Sequence, residues 1–133
     1  MDINKADYKM LADLLETDPN HKIFDIMANN AYYSYKFAHH LMKNDLEVPE
    51  RFLQGVAKDA DRSYHFAINL IDRNQEVPEI ILQGIANDAY RSYYFANKLM
   101  KKNLEVPEII LKAIATDADR SYYFANKLMN KNL

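Results

Sequence analysis

The feature that most constrains this chain is a repeat of 29 residues. Val48-Pro49-Glu50 returns as Val77-Pro78-Glu79 and as Val106-Pro107-Glu108. Ser63-Tyr64-His65-Phe66-Ala67 returns as Ser92-Tyr93-Tyr94-Phe95-Ala96 and as Ser121-Tyr122-Tyr123-Phe124-Ala125, and Ser34-Tyr35-Lys36-Phe37-Ala38 stands one period upstream. Segments 76–104 and 105–133 are identical at 24 of 29 positions. A unit this short cannot bury an apolar face by itself, so units of this kind stack on one another.

Each unit reads as helix–turn–helix. Proline suits the first helical position, where its missing N–H has no intrahelical partner. Glu50, Glu79 and Glu108 then place a carboxylate where the helix dipole favours it. The first helix of the third unit is expected to bury Ile81, Leu82 and Ile85. Asp59, Asp88 and Asp117 look like N-caps of the second helix. That helix carries Ala89, Ser92, Tyr93, Ala96, Leu99, Met100 and Asn103 on one face at three- and four-residue spacing. Gly55 and Gly84 share one repeat position with Ala113, so a small residue there is expected to let two helices approach closely, with alanine serving as well as glycine at position 84.

The fold expected is therefore all-α: a right-handed α-solenoid of stacked two-helix, 29-residue repeats in a single domain. Residues 1–17 supply a capping helix with Tyr8, Leu11, Leu14 and Leu15 on one face. A diverged repeat follows at 18–46, opened by Asp18-Pro19 as N-cap and first-turn proline, and then repeats at 47–75, 76–104 and 105–133. The pattern predicts helices over 4–16, 19–29, 31–44, 49–58, 60–73, 78–87, 89–102, 107–116 and 118–131, and no strand. No cap is expected at the C-terminal end, where Ile109, Ile110, Ile114, Tyr122, Leu128 and Met129 should stay bare, and a homodimer through that last repeat follows as an expectation.

Composition narrows the chemistry. There is no cysteine, so thiolate metal sites, disulfides and cysteine nucleophiles are excluded. The net charge of -2 supplies no basic field for nucleic acid or anionic membrane. No apolar run approaches transmembrane length, and the N-terminal residues lack a signal-peptide pattern, so a cytoplasmic protein is expected. His39 and His40 are adjacent and project about 100° apart on a helix, so they do not make a metal site together. No phosphate loop, nucleophile elbow or metalloprotease motif is present. The expectation is a chain without enzymatic activity or cofactor.

With these motifs in hand, the helix-pair spacing resembles the solenoid repeat class, of which the tetratricopeptide and HEAT types are the best known. The period is shorter than the tetratricopeptide one, and the signature Trp and Gly-Tyr positions are absent. Val-Pro-Glu followed by Ser-Tyr-Tyr-Phe-Ala, over residues 48–133, is also similar to short helical repeats of uncharacterised bacterial and phage proteins. That resemblance implies protein binding, by analogy of architecture.

Counting 100° per residue from Ala96 puts one row of side chains on the face opposite the core. The candidate binding residues are Arg62, Arg91, Arg120, His65, Tyr94, Tyr123, Asn97, Asn126, Lys98 and Lys127. Tyrosine and arginine are the side chains that dominate protein interfaces. Two readings of the arginines stay open: an Asp–Arg pair within a unit or across to the next, or a free guanidinium row that grips acidic groups. The tyrosines are either exposed or packed between units. The leading function is a protein-binding module, an adaptor or a phage-type inhibitor that occludes a larger complex such as a host-defence system. The alternative is a nucleic-acid-binding solenoid, with the arginines on phosphates and the tyrosines on bases.

Overall fold

The computed structural model describes residues 7–132, which form nine α-helices and no strand. They are α1 (Tyr8–Thr17), α2 (Lys22–Ala28), α3 (Ala31–Lys43), α4 (Glu50–Val56), α5 (Ala60–Asp72), α6 (Glu79–Ala86), α7 (Ala89–Lys101), α8 (Glu108–Ala115) and α9 (Ala118–Asn132). The segment 4–6, expected to open the first helix, lies outside the described residues. Two rows run side by side. α2, α4, α6 and α8 touch in succession along one row, and α1, α3, α5, α7 and α9 along the other.

Local chemistry sets the boundaries. Asp59 and Asp88 cap α5 and α7 with the side-chain oxygen, and Asp117 Oδ1 accepts the Arg120 amide at 2.9 Å. Pro49, Pro78 and Pro107 stand one position earlier than expected, as extended N-caps with ψ near 144–147°, and their carbonyls accept the first helical amides. The diverged unit departs further. Asp18 closes α1 instead of capping α2, and α2 starts at Lys22 with His21 Nδ1 accepting the Ile23 amide at 3.1 Å. Pro19 is therefore not a helix-opening proline.

The exits of α3, α5 and α7 share one device. Asp45, Asn74 and Asn103 adopt left-handed φ of 56°, 59° and 58°. The amides of Leu46, Gln75 and Leu104 then return to the carbonyls of Leu41, Leu70 and Leu99 at 2.8–2.9 Å. This six-to-one closure satisfies carbonyls that the helix end would leave open. It also folds the chain back, so that α3 with α4, α5 with α6 and α7 with α8 make the most extensive contacts. The tightest pair is thus the second helix of one unit with the first helix of the next.

Two apolar clusters result. Leu11, Phe24, Met27, Phe37, Leu41 and Phe52 pack at the N-terminal end. Phe66, Ile81, Ile85, Phe95 and Leu99 belong to the second, which extends to Phe124 and takes in Ile110 and Ile114; these two, expected to stay bare at the C-terminal end, are buried because α8 packs against α6 and α7 of the preceding unit. A serine stitches each helix pair, buried in the first three and half-buried in the last: the hydroxyls of Ser34, Ser63, Ser92 and Ser121 donate to the carbonyls of Met27, Val56, Ile85 and Ile114 at 2.8–3.1 Å. The two glycines press on these serines from the following unit. A Cβ on Gly84 would overlap Ser63 Oγ and lie 2.9 Å from Ala57 Cα, and one on Gly55 would overlap Ser34 Oγ and lie 2.7 Å from the Ala28 carbonyl. The close approach is as expected, but the interchange of glycine and alanine is not. Alanine at 113 has room that positions 55 and 84 lack.

Candidate functional site

The exposed edge of the α1-to-α9 row holds most of the residues singled out above. The N-caps aim α5, α7 and α9 so that their arginines point back along the stack. The Arg62 guanidinium lies 5.1 Å from the centre of the Tyr32 ring. Arg91 pairs with Asp61 at 2.9 Å and lies 5.7 Å from the Tyr64 ring. Arg120 lies 4.6 Å from the Tyr90 ring. Each arginine therefore reaches across one unit to a ring face or a carboxylate. The N-cap aspartates take the arginine amides, not the guanidiniums. A row of free guanidiniums is not what the side chains form.

The tyrosines divide by position. Tyr35, Tyr64 and Tyr93 are half-buried against the core, and burial pushes the Tyr64 phenol up against the opposing pull of Arg91. Tyr94 and Tyr123 are exposed. The Tyr90 and Tyr94 rings lie 4.7 Å apart, tilted by 58°, and the Tyr90 hydroxyl donates to that of Tyr94 at 3.3 Å. His65, exposed, sits 3.3 Å from Asp61 and so joins the Asp61–Arg91 pair. Asn126, Lys98 and Lys127 are exposed, with the Lys127 ammonium 5.3 Å from the Tyr93 ring.

Asn97 departs from expectation. It is buried, and its Oδ1 has no hydrogen-bond partner among the described residues. It lies on the flank that α9 covers, not opposite the core; with Met100, Lys101, Lys127 and Lys131 it lines a shallow hollow of about 250 Å³. The helical count took α7 alone and left out its neighbour.

Two features were missed from sequence. A second basic row, Arg73, Lys102 and Lys131, follows the arginines by eleven residues. Arg73 pairs with Asp45 at 3.1 Å, Lys102 with Asp72 at 2.9 Å, and Lys131 donates to the Met100 carbonyl. Its period is the signal that could have revealed it. The other is a pair of open grooves at the returning loops. One of 560 Å³ is lined by Ile71, Val77, Leu82, Phe95, Leu99 and Leu104. The other, of 370 Å³, is lined one period earlier by Met42, Val48, Leu53, Phe66, Leu70 and Gln75. Glu76 and Glu105 also line the first, and Asp45 and Glu47 the second.

Among the described residues no group of three or more His, Cys, Asp or Glu could hold a metal ion, and no helix is long and apolar enough to cross a membrane. Comparison of the chain with protein families, with characterised proteins and with solved structures finds no match.

Proposed function

We propose that this chain is a right-handed α-solenoid of 29-residue repeats that acts in the cytoplasm as a non-enzymatic protein-binding module. The observation that carries the reading is the Tyr90–Tyr94 pair. Two exposed rings lie 4.7 Å apart, tilted by 58° and joined through their hydroxyls; the Arg120 guanidinium lies over the Tyr90 ring, and Tyr123, also exposed, repeats Tyr94 one unit on. Preordered aromatic surface loses little side-chain freedom on binding, which is what an interface hot spot requires. A small rigid stack with such an edge suits an adaptor, or an inhibitor of the phage type that occludes a larger complex such as a host-defence system. The nucleic-acid reading has less behind it. The guanidiniums are already engaged on rings and on Asp61, and the net charge is -2.

A photo-crosslinking side chain at position 94 tests the proposal in an extract of the source cell. The result expected is one dominant protein adduct. The purified adduct partner should then bind the unmodified chain, and Tyr90→Ala with Tyr94→Ala should weaken it by about tenfold or more while the fold is retained. Salt-dependent binding to mixed-sequence DNA or RNA, lost in an Arg62, Arg91 and Arg120 to glutamine variant, would overturn it in favour of the alternative.

A further inference from the structure

Contacts between successive helices of the longer row run one way. α5, α7 and α9 each carry an arginine near the start and a second basic residue eleven positions later: Arg62 and Arg73, Arg91 and Lys102, Arg120 and Lys131. Eleven residues are close to three helical turns, so both cations of a pair lie on one face. All six reach to the preceding unit, and what receives them there is a ring face, a carboxylate or a carbonyl oxygen. α3, whose preceding neighbour is the capping helix α1, has Tyr33 and Asn44 at the two positions. Each repeated unit therefore has a cation-bearing side towards the N-terminus and an acceptor side towards the C-terminus.

α9 presents that acceptor side with no described helix upon it. Asp119 stands at the repeat position of Asp61, and Tyr122 at that of Tyr64, the two groups that hold Arg91. Asp119 is exposed and has no ion-pair partner among the described residues; Tyr122 is 65% exposed. Leu128 and Met129 extend the same surface.

We infer that the bare face of α9 docks an amphipathic helix of a partner protein that carries an arginine and, eleven residues on, a second basic side chain, seated as α7 is seated on α5. This surface is separate from the Tyr90–Tyr94 edge and stands whether or not that edge binds. The homodimer expected from sequence matches the chemistry less well. Two α9 faces across a two-fold axis would set Asp119 against acceptors, because Arg120 and Lys131 are already committed to the α7 side. The N-terminal end of a second copy offers α1, which has no arginine.

The test is a titration of the full chain into a labelled, stapled peptide of residues 89–102, with the staple joining positions 94 and 98 on its outward side. Fluorescence anisotropy should show saturable binding that tightens as salt is lowered. Asp119→Lys in the protein, or Arg91→Asp in the peptide, should each weaken it about tenfold or more, and Asp119→Arg with the Arg91→Asp peptide should restore it. Asp119 is exposed, so circular dichroism melts of its variants should match the parent. No saturation up to about 1 mM, at the limit of specific association, would overturn the inference. So would an affinity indifferent to both reversals, or light scattering that finds the chain alone already paired through α9.

Discussion

Residues 76–104 and 105–133 are nearly the same sequence in two different environments. Leu99 is 5% exposed and its counterpart Leu128 is 40%; Ala96 is fully buried and Ala125 is exposed; Met100 is partly covered and Met129 is 63% exposed. Only the residues that meet the preceding unit keep their burial, as Phe95 and Phe124 do. What differs is the neighbour: α7 has α9 and α8 against it, whereas α9 has only what precedes it among the described residues. The comparison teaches that burial here belongs to the contact between units, not to the unit. A stack of this kind is stabilised mainly by nearest-neighbour terms.

The largest effect should come from cutting the same side chain in the two places. Leu99→Ala removes a buried side chain and should cost about 2–5 kcal/mol, whereas Leu128→Ala should cost under about 1 kcal/mol. Urea denaturation of the two variants measures both, and equal losses would break the comparison.

Next comes the small-residue position. Gly84→Ala forces a Cβ onto Ser63 and the Ala57 backbone and should cost about 1–3 kcal/mol. Ala113→Gly, at the same repeat position, should cost about 0.5–1 kcal/mol through helix propensity alone. Thermal melts of the two separate overpacking from propensity: the first should fall further.

The smallest effect concerns the other end of the stack. His39 occupies the repeat position of Ile68, Asn97 and Asn126, and stacks on Tyr35 at 5.8 Å. Burial, then the charges of Lys43, Lys36, Arg73 and His40, holds its imidazole below the usual histidine value. The fold therefore favours the neutral ring, and the unfolded chain binds the proton more readily. The stability this contributes is present above the unfolded value of about 6.5 and is lost as pH falls from there through the lower folded value. His39→Asn should flatten the stability profile in that window, read from urea midpoints between about pH 7 and pH 5, a range that brackets the histidine transition.

What the sequence disclosed follows the same division. The N-caps Asp59, Asp88 and Asp117 and the buried Ile81, Leu82 and Ile85 were legible, because a cap bonds two or three residues away and a core stripe repeats within one helix. His21 as a cap was not, since Asp18-Pro19 offers the stronger local signal and α1 takes Asp18 for its own end. The candidate surface was half legible. Tyr94, Tyr123 and His65 are exposed as the helical count implies, whereas Asn97 and the arginines answer to partners about 30 residues away, beyond any count around one helix. The intolerance of Gly84 to a Cβ likewise depends on Ser63 in the unit before.

Amide hydrogen exchange, resolved by residue, tests the central claim most directly. If burial resides in the contact with the following unit, the amides of Phe95 to Leu99 should exchange at least about tenfold more slowly than those of Phe124 to Leu128, tenfold being about 1.4 kcal/mol of opening free energy. Equal protection in α7 and α9, despite their unequal cover, would contradict the account.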